Sequence, residues 1–241
     1  MKISCVVPAY NEEKLLGRTL ACIGESARAF EALGWGFELI VCDNNSTDRT
    51  AAVATECGAR VVFEPVNQIG RARNRGAAAA TGDWLVFVDA DSEPSRELFE
   101  SVAQEISSGR VLGGGSTVRM DREASLFGIW VHGWNAISRV CRWAAGSFIF
   151  CDTSAFRSIG GFSLELYASE EIDLSKRLKQ VGRRSSKAFV ILHRHPLKTS
   201  ARKLDLYSGA DIRRFLRAFL RHPKGTLKDP NACHFWYDGR R

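Results

Sequence analysis

Residues 84–91 read Trp-Leu-Val-Phe-Val-Asp-Ala-Asp, an apolar run that stops at two carboxylates one residue apart. A run this short, and this rich in β-branched and aromatic residues, predicts a strand buried on both faces, as in a parallel sheet. In open α/β sheets, ligands bind just beyond the carboxyl ends of the strands. Asp89 and Asp91 would stand at such an edge. Two acids there suit a hard divalent cation, since Mg²⁺ is commonly shared between one or two carboxylates and substrate phosphates. The pair predicts a metal–diphosphate site. The plainer alternative is a solvated turn with acidic caps.

The first half of the chain repeats the pattern. Ile3–Val7, Phe37–Cys42 and Arg60–Phe63 are further strand-like runs. Between them lie segments with helical character. The first is capped by Asn11, carries Glu12 and Glu13 in its first turn and runs to about Phe30. The second opens at Ser46 or Thr47 and runs to Cys57. The third is the Ala- and Arg-rich Gly70–Ala80. Such alternation predicts a parallel sheet with right-handed crossovers, an α/β fold.

The second half is less regular. Pro94 and Ser95 open a helix to Ser107, and Gly113-Gly114-Gly115 precedes a strand at Ser116–Arg119. Residues 122–145 predict an aromatic-rich helix and Phe148–Cys151 a short strand. Gly160-Gly161 reads as a turn, and Glu170–Val181 as a helix ending at Gly182. Ala188–Leu192 predicts a strand. A basic amphipathic helix over about Asp205–Leu220 closes the chain. No repeat or linker divides the sequence, so 1–241 is read as one domain.

Composition narrows the setting. The apolar fraction of 45% suffices for a large core. The seven cysteines form no Cys-x-x-Cys pair and sit mostly in apolar runs, as small buried hydrophobes in a reducing compartment do. No apolar stretch is long enough to span a membrane, and Met1-Lys2 leads straight into a strand, so a cytoplasmic location is expected. The charge is lopsided: residues 1–175 carry a net −7 and residues 176–241 a net +14. A basic tail on an acidic body predicts an anionic partner surface, for which membrane headgroups and nucleic acid are both candidates. A merely solvated basic face is the alternative.

Tyr10 and Glu12 follow the first strand, Asp43 the second, Asp89 and Asp91 the fourth. Parallel topology would gather them on one sheet edge. Asp43 could accept from a base N–H or a ribose hydroxyl, or simply cap a helix.

Taken in order, Val-Val-Pro-Ala-Tyr-Asn-Glu-Glu (6–13), Asp-Asn-Asn-Ser-Thr-Asp (43–48), Gly-Arg-Ala-Arg-Asn-Arg-Gly (70–76), Val-Asp-Ala-Asp (88–91) and Ser-Glu-Glu-Ile-Asp-Leu-Ser-Lys-Arg-Leu (169–178) resemble the motifs of family 2 glycosyltransferases with the GT-A fold. The resemblance spans about residues 3–195. It implies a metal-dependent, inverting hexosyltransferase that moves a sugar from a nucleotide-sugar donor to an acceptor hydroxyl, a lipid-linked one among the alternatives. It implies a nucleotide-sugar-binding half at 1–115, an acceptor-side half at 116–204 and a basic helical tail at 205–241.

The same resemblance assigns residues. Pro8, Tyr10, Glu12 and Asp43 would bind the nucleoside. Arg73 would reach the base or diphosphate, while Arg71 and Arg75 could face solvent. Asp89 would face the ribose or sugar, and Asp91 would hold Mn²⁺ or Mg²⁺ on the phosphates. The acid pair Glu170-Glu171 stands where the family usually has Glu-Asp. Glu171 is the expected base, with Glu170 as the alternative, and Asp173 is a helix-surface or orienting residue. His193 and His195 are candidate further metal ligands, imidazole being a common one. Arg202, in Ser-Ala-Arg-Lys, could close over the leaving diphosphate. Trp130, Trp134 and Trp143 are candidates for acceptor stacking or for core. His132, His222 and His234 read as structural or surface residues.

Two other classes compete. A nucleotidyltransferase acting on sugar phosphates would share the sheet, but it would carry a Gly-rich basic loop where Pro8-Ala9-Tyr10-Asn11 stands. A nucleic-acid-binding protein would use the basic tail but not the acids at 43, 89, 91 and 171, so no nucleic acid is expected. The tail helix interleaves Leu206, Phe215, Leu216, Phe219 and Leu220 with Arg213, Arg214, Arg217 and Arg221, a pattern suited to peripheral contact with an anionic membrane, on its inner face.

Overall fold

The computed structural model describes residues 1–122, 125–202, 209–233 and 237, with the backbone alone for 125–130, 209–212, 215, 216 and 224. The first half alternates as the sequence predicts: β1 (Lys2–Ala9), α1 (Leu16–Glu31), β2 (Gly36–Asp43), α2 (Thr50–Glu56), β3 (Arg60–Phe63), α3 (Ile69–Ala79) and β4 (Trp84–Val88). Then come β5 (Ser92–Glu93), α4 (Arg96–Ser107), β6 (Val111–Met120), α5 (Ser125–Cys141), β7 (Phe148–Asp152), α6 (Thr153–Ser158), α7 (Glu170–Arg184) and β8 (Ala188–Thr199). Helices Gly209–Arg221 and Pro223–Lys228 follow.

The strands form one eight-stranded sheet in the order β3-β2-β1-β4-β7-β6-β8-β5. Strands β3, β2, β1 and β4 are mutually parallel. β7 runs antiparallel between β4 and β6, and β8 returns parallel to β6. The alternation of side chains along β4 explains its unbroken apolar run. Trp84, Val86 and Val88 join the core layer under α1 and α4, while Leu85 and Phe87 join the layer that contains Phe156, Phe162 and Leu174. Both faces are covered, so no polar position is needed between Trp84 and Val88.

Helix α3 lies close on β1 because its inner face is small. A Cβ on Gly76 would come within 2.3 Å of Val6 Cγ1. The triple glycine lies within β6 rather than before it, and its reason is also close approach: a Cβ on Gly114 would sit 2.4 Å from the Val190 carbonyl of β8. Ser95 caps α4 as expected, its hydroxyl accepting from Leu98 N–H. All seven cysteines are free thiols, and four of them are buried.

Several boundaries differ from the sequence reading. Asn11 does not cap α1, which begins at Leu16. It adopts a left-handed φ of 51°, and its side-chain oxygen accepts from Thr47 N–H at 2.8 Å, pinning the β1 loop to the β2 loop. α2 begins at Thr50 rather than at Ser46 or Thr47, because Asp43 Oδ1 takes the Ser46 N–H and Asn11 the Thr47 N–H. α7 continues past Gly182 to Arg184. β8 continues past Leu192 through both histidines, with a register shift against β6 that masks its periodicity. Lys203, the expected start of the tail helix at Asp205, Leu206 and His234 lie outside the described residues, as do the side chains of Trp130, Phe215 and Leu216. Among the described residues no helix is long and apolar enough to cross a membrane.

Candidate active site

The carboxyl ends of β1, β2 and β4 share one edge, and an open cleft lies there. Pro8, Ala9, Tyr10 and Glu12 line it after β1, and Asn44 after β2. Asp89, Ala90 and Asp91 line it after β4, and Asn67 and Ile69 enter from the start of α3. The gathering of Tyr10, Glu12, Asp89 and Asp91 is the one that parallel topology predicts. Asp43 is buried just behind them, its Oδ1 accepting from Ser46 N–H at 3.1 Å.

Glu12 is nearly inaccessible, and its two oxygens both accept from Arg202, at 3.0 and 2.8 Å. Arg202 is far away in sequence. It arrives because Ser200 N–H donates to the Asp91 carbonyl and Ala201 N–H to Asp121 Oδ1, which ties the end of β8 to the β4 loop. The guanidinium expected to close over a diphosphate is thus engaged with Glu12 at the side of the cleft.

Arg73 is the largest fully buried side chain of the chain's described part. Its terminal nitrogens donate to Glu170 Oε1 at 2.7 Å, Asp89 Oδ1 at 2.9 Å and the Gly146 carbonyl at 2.8 Å. The cation also lies 5.2 Å from the centre of the Phe162 ring. Arg73, expected to reach base or diphosphate, is buried here and does not line the cleft. Burial makes its charge costly unless compensated, and two carboxylates compensate it. Arg73 instead joins the β4 end to the acid pair on α7. Its neighbours behave as ordinary helix residues: Arg71 donates to Gln68 Oε1, and Arg75 is exposed.

The acid pair opens α7, whose positive end favours acids in its first turn. Glu170 is consumed by Arg73. Glu171 is partly buried beside it, with its carboxyl carbon 3.7 Å from where a Gly146 Cβ would be. Burial, and then the Glu170 carboxylate, hold the Glu171 carboxyl well above the ordinary carboxylate range, against the pull of Arg73. A carboxyl raised in this way keeps its proton to a higher pH than an exposed one. Asp173 pairs with Arg177 one turn on, at 2.7 Å, as a helix-surface acid does.

The residue before the pair, Ser169, holds a left-handed φ of 63°, with Asn11 at 51° and Asn45 at 65° on the loops after β1 and β2. Such conformations cost about 1–3 kcal/mol each and cluster at functional sites.

The histidines stand apart. His193 is exposed on β8, and His195 lies in the electrostatic reach of Glu97 on α4; neither lines the cleft. Among the described residues no group of three or more His, Cys, Asp or Glu side chains converges as a metal cage. Trp134 packs against the core, and Trp143 faces the Lys176 ammonium at 4.9 Å. Asn44, Asn67, Ile69 and Tyr237 line the cleft without having been expected there. Asn44 had a signal, since it adjoins Asp43 at the same strand end. Tyr237 had none.

Comparison with known proteins agrees with this geometry. Residues 4–157 match the family described as Glycosyl transferase family 2. An uncharacterized glycosyltransferase of Mycobacterium tuberculosis is 36% identical over 107 residues, 44% of each chain. The matched stretches span 26–44% of the length of the first curated relatives. Among solved structures, Staphylococcus aureus TarS 1–349 in complex with UDP superposes with a TM-score of 0.64 at 19% identity, covering 83% of this chain and 61% of that one. Glucosyl-3-phosphoglycerate synthase of M. tuberculosis, with Mn²⁺, UDP and phosphoglyceric acid, gives 0.62 at 22% identity, covering 96% and 78%. These likenesses establish the GT-A fold.

Proposed function

The chain belongs to glycosyl transferase family 2, and from that premise we propose that it transfers a sugar from a nucleoside-diphosphate donor to an acceptor hydroxyl with inversion. The observation that carries the reading is Arg73. One buried guanidinium holds both the acid at the donor edge, Asp89, and an acid of the pair on α7, Glu170. This ties the cleft edge to the helix that carries Glu171, which supports a fixed geometry of the kind a single displacement needs.

Tyr10, Asn44 and Asp43 form the nucleoside end, and Asp89 faces the ribose or sugar. Glu171 takes the proton of the attacking hydroxyl on the face opposite the nucleotide. Asp91, at the cleft with Asp89 beside it, would hold a hard cation together with substrate phosphates, since the described residues supply no full cage. Bound Mn²⁺ or Mg²⁺ would neutralise charge on the departing diphosphate. Both ions occur, with UDP, in structures of the mycobacterial synthase, which supports the assignment.

The test is a donor panel. UDP-, GDP- and dTDP-sugars are incubated with the protein and Mg²⁺ or Mn²⁺, and nucleoside diphosphate release is followed. Release from one donor class is expected, abolished by EDTA and restored by either ion. Asp91→Asn should lower it on the order of 10²-fold, as removal of an electrostatic clamp does. Full activity in chelator would sink the metal assignment, and no release from any donor would sink the reading itself.

The helix Gly209–Arg221 supports peripheral membrane contact. Arg213, Arg214, Arg217 and Arg221 are exposed, and Leu220 is 78% exposed among them. Each arginine near an anionic surface adds about 1 kcal/mol. In co-sedimentation, the protein should pellet with anionic vesicles at low salt and be released at high salt. Recovery in the supernatant under both conditions would reduce this helix to a solvated basic face.

A further inference from the structure

The donor cleft has a wall that comes from the far end of the chain. We propose that Tyr237 is a donor-binding residue whose ring packs against the nucleoside of the nucleoside diphosphate, an inference that rests on the donor reading above. Tyr237 lines the cleft together with Tyr10, Asn67 and Ile69. It lies 80 residues beyond the end of the family match at position 157.

The ring is held from behind. Its hydroxyl donates to the Tyr167 carbonyl at 2.8 Å and is also hydrogen-bonded by the Ile69 backbone. The Tyr167 ring meets it edge-on, centroids 5.5 Å apart. The segment leading to it is fastened to the same loop. Tyr167 N–H donates to the Leu227 carbonyl at 2.8 Å, and Lys228 pairs with Glu165 at 2.5 Å. Cys233 is fully buried, with its thiol on the Thr226 carbonyl.

That loop is in turn tied to the nucleoside end of the cleft. Gln68 donates to the carbonyls of Leu164 and Leu166, both at 3.0 Å, and its own N–H donates to Asn44 Oδ1. A continuous chain of bonds therefore runs from Asn44 through Gln68 and the 164–167 loop to Tyr237. Burial and the nearby Glu170 charge raise the phenol well above its ordinary range, so the wall stays uncharged beside a diphosphate. A rigid neutral ring anchored on its hydroxyl side offers its surface to a base, and base–aromatic stacking is tolerant of base identity.

The test compares two probes, nucleoside diphosphates (UDP, GDP and dTDP, each with Mg²⁺) and inorganic pyrophosphate with Mg²⁺, by titration calorimetry. Tyr237→Ala should weaken the best nucleoside diphosphate about tenfold and leave pyrophosphate unchanged. Tyr237→Phe, which keeps the ring but loses its hydroxyl anchor, should lose less nucleotide affinity than Tyr237→Ala and leave pyrophosphate unchanged. Equal nucleotide affinity in Tyr237→Ala would overturn the proposal. So would an equal loss for nucleotide and pyrophosphate, which marks a collapsed cleft rather than a missing wall. A wild-type protein that binds none of the three nucleotides would overturn the donor reading, and this inference with it.

Discussion

Replacing Glu171 with Gln is expected to lower turnover by about 10²-fold or more while leaving donor affinity intact, because the amide keeps the shape and removes the basicity. The same change should stabilise the fold at and above neutral pH. The Glu171 carboxyl is held above its ordinary value of 4.5 by burial and by Glu170. A group raised in this way contributes stability that is complete below its unfolded value and is lost as pH rises through the folded one. Glutamine never ionises, so it escapes that loss. Two curves check this together: kcat/KM of the wild type should rise with pH through a range above 4.5, and Tm of Glu171→Gln should exceed the wild type on the alkaline side. A crippling Glu170→Gln beside a mild Glu171→Gln would transfer the base role to Glu170.

The largest effect on stability is expected at Arg73. Arg73→Met fills similar volume but strands Asp89 and Glu170 without their cation, and breaking a buried ion pair costs about 3–5 kcal/mol. Arg73→Lys should rescue little, since one ammonium cannot span two carboxylates and the Gly146 carbonyl as a planar fork does. Adding Glu170→Gln to Arg73→Met should restore part of the loss by removing one stranded charge. Urea denaturation midpoints with unchanged slope would measure it. A single variant within about 0.5 kcal/mol of wild type, the range of ordinary surface changes, would show that Arg73 is not the brace described.

The cleft edge was legible because strand ends are legible. The apolar runs at Ile3, Phe37 and Trp84 each stop at a polar residue, and parallel topology does the rest. The burial of Arg73 between two acids was not legible. An arginine on an Ala-rich helix ordinarily faces water, and only the tertiary meeting of α3, β4 and α7 supplies the acids that permit burial. Asn11 misled for a local reason: a residue with the right chemistry for a cap was used for a loop-to-loop bond instead. β8 was cut short because its second half carries His, Arg and Lys through a register shift, which hides the alternation that would have announced a strand. Tyr237 lies beyond any reading by periodicity, since its place depends on how the end of the chain folds back onto the 165–167 loop.

The antiparallel course of β7 divides the site along the chain. Everything that lines the cleft from β1, β2 and β4 is encoded before residue 92, whereas the acid pair follows β7 and is joined to that block through few side chains. Arg73 grips Glu170 and the Gly146 carbonyl, and Asn74 grips Phe162 through both its N–H and its carbonyl, at 2.9 Å each. Two adjacent residues of α3 thus tie the cleft edge to segments that follow β7, so the placement of the acid pair depends on the side chains of one helix rather than on chain continuity.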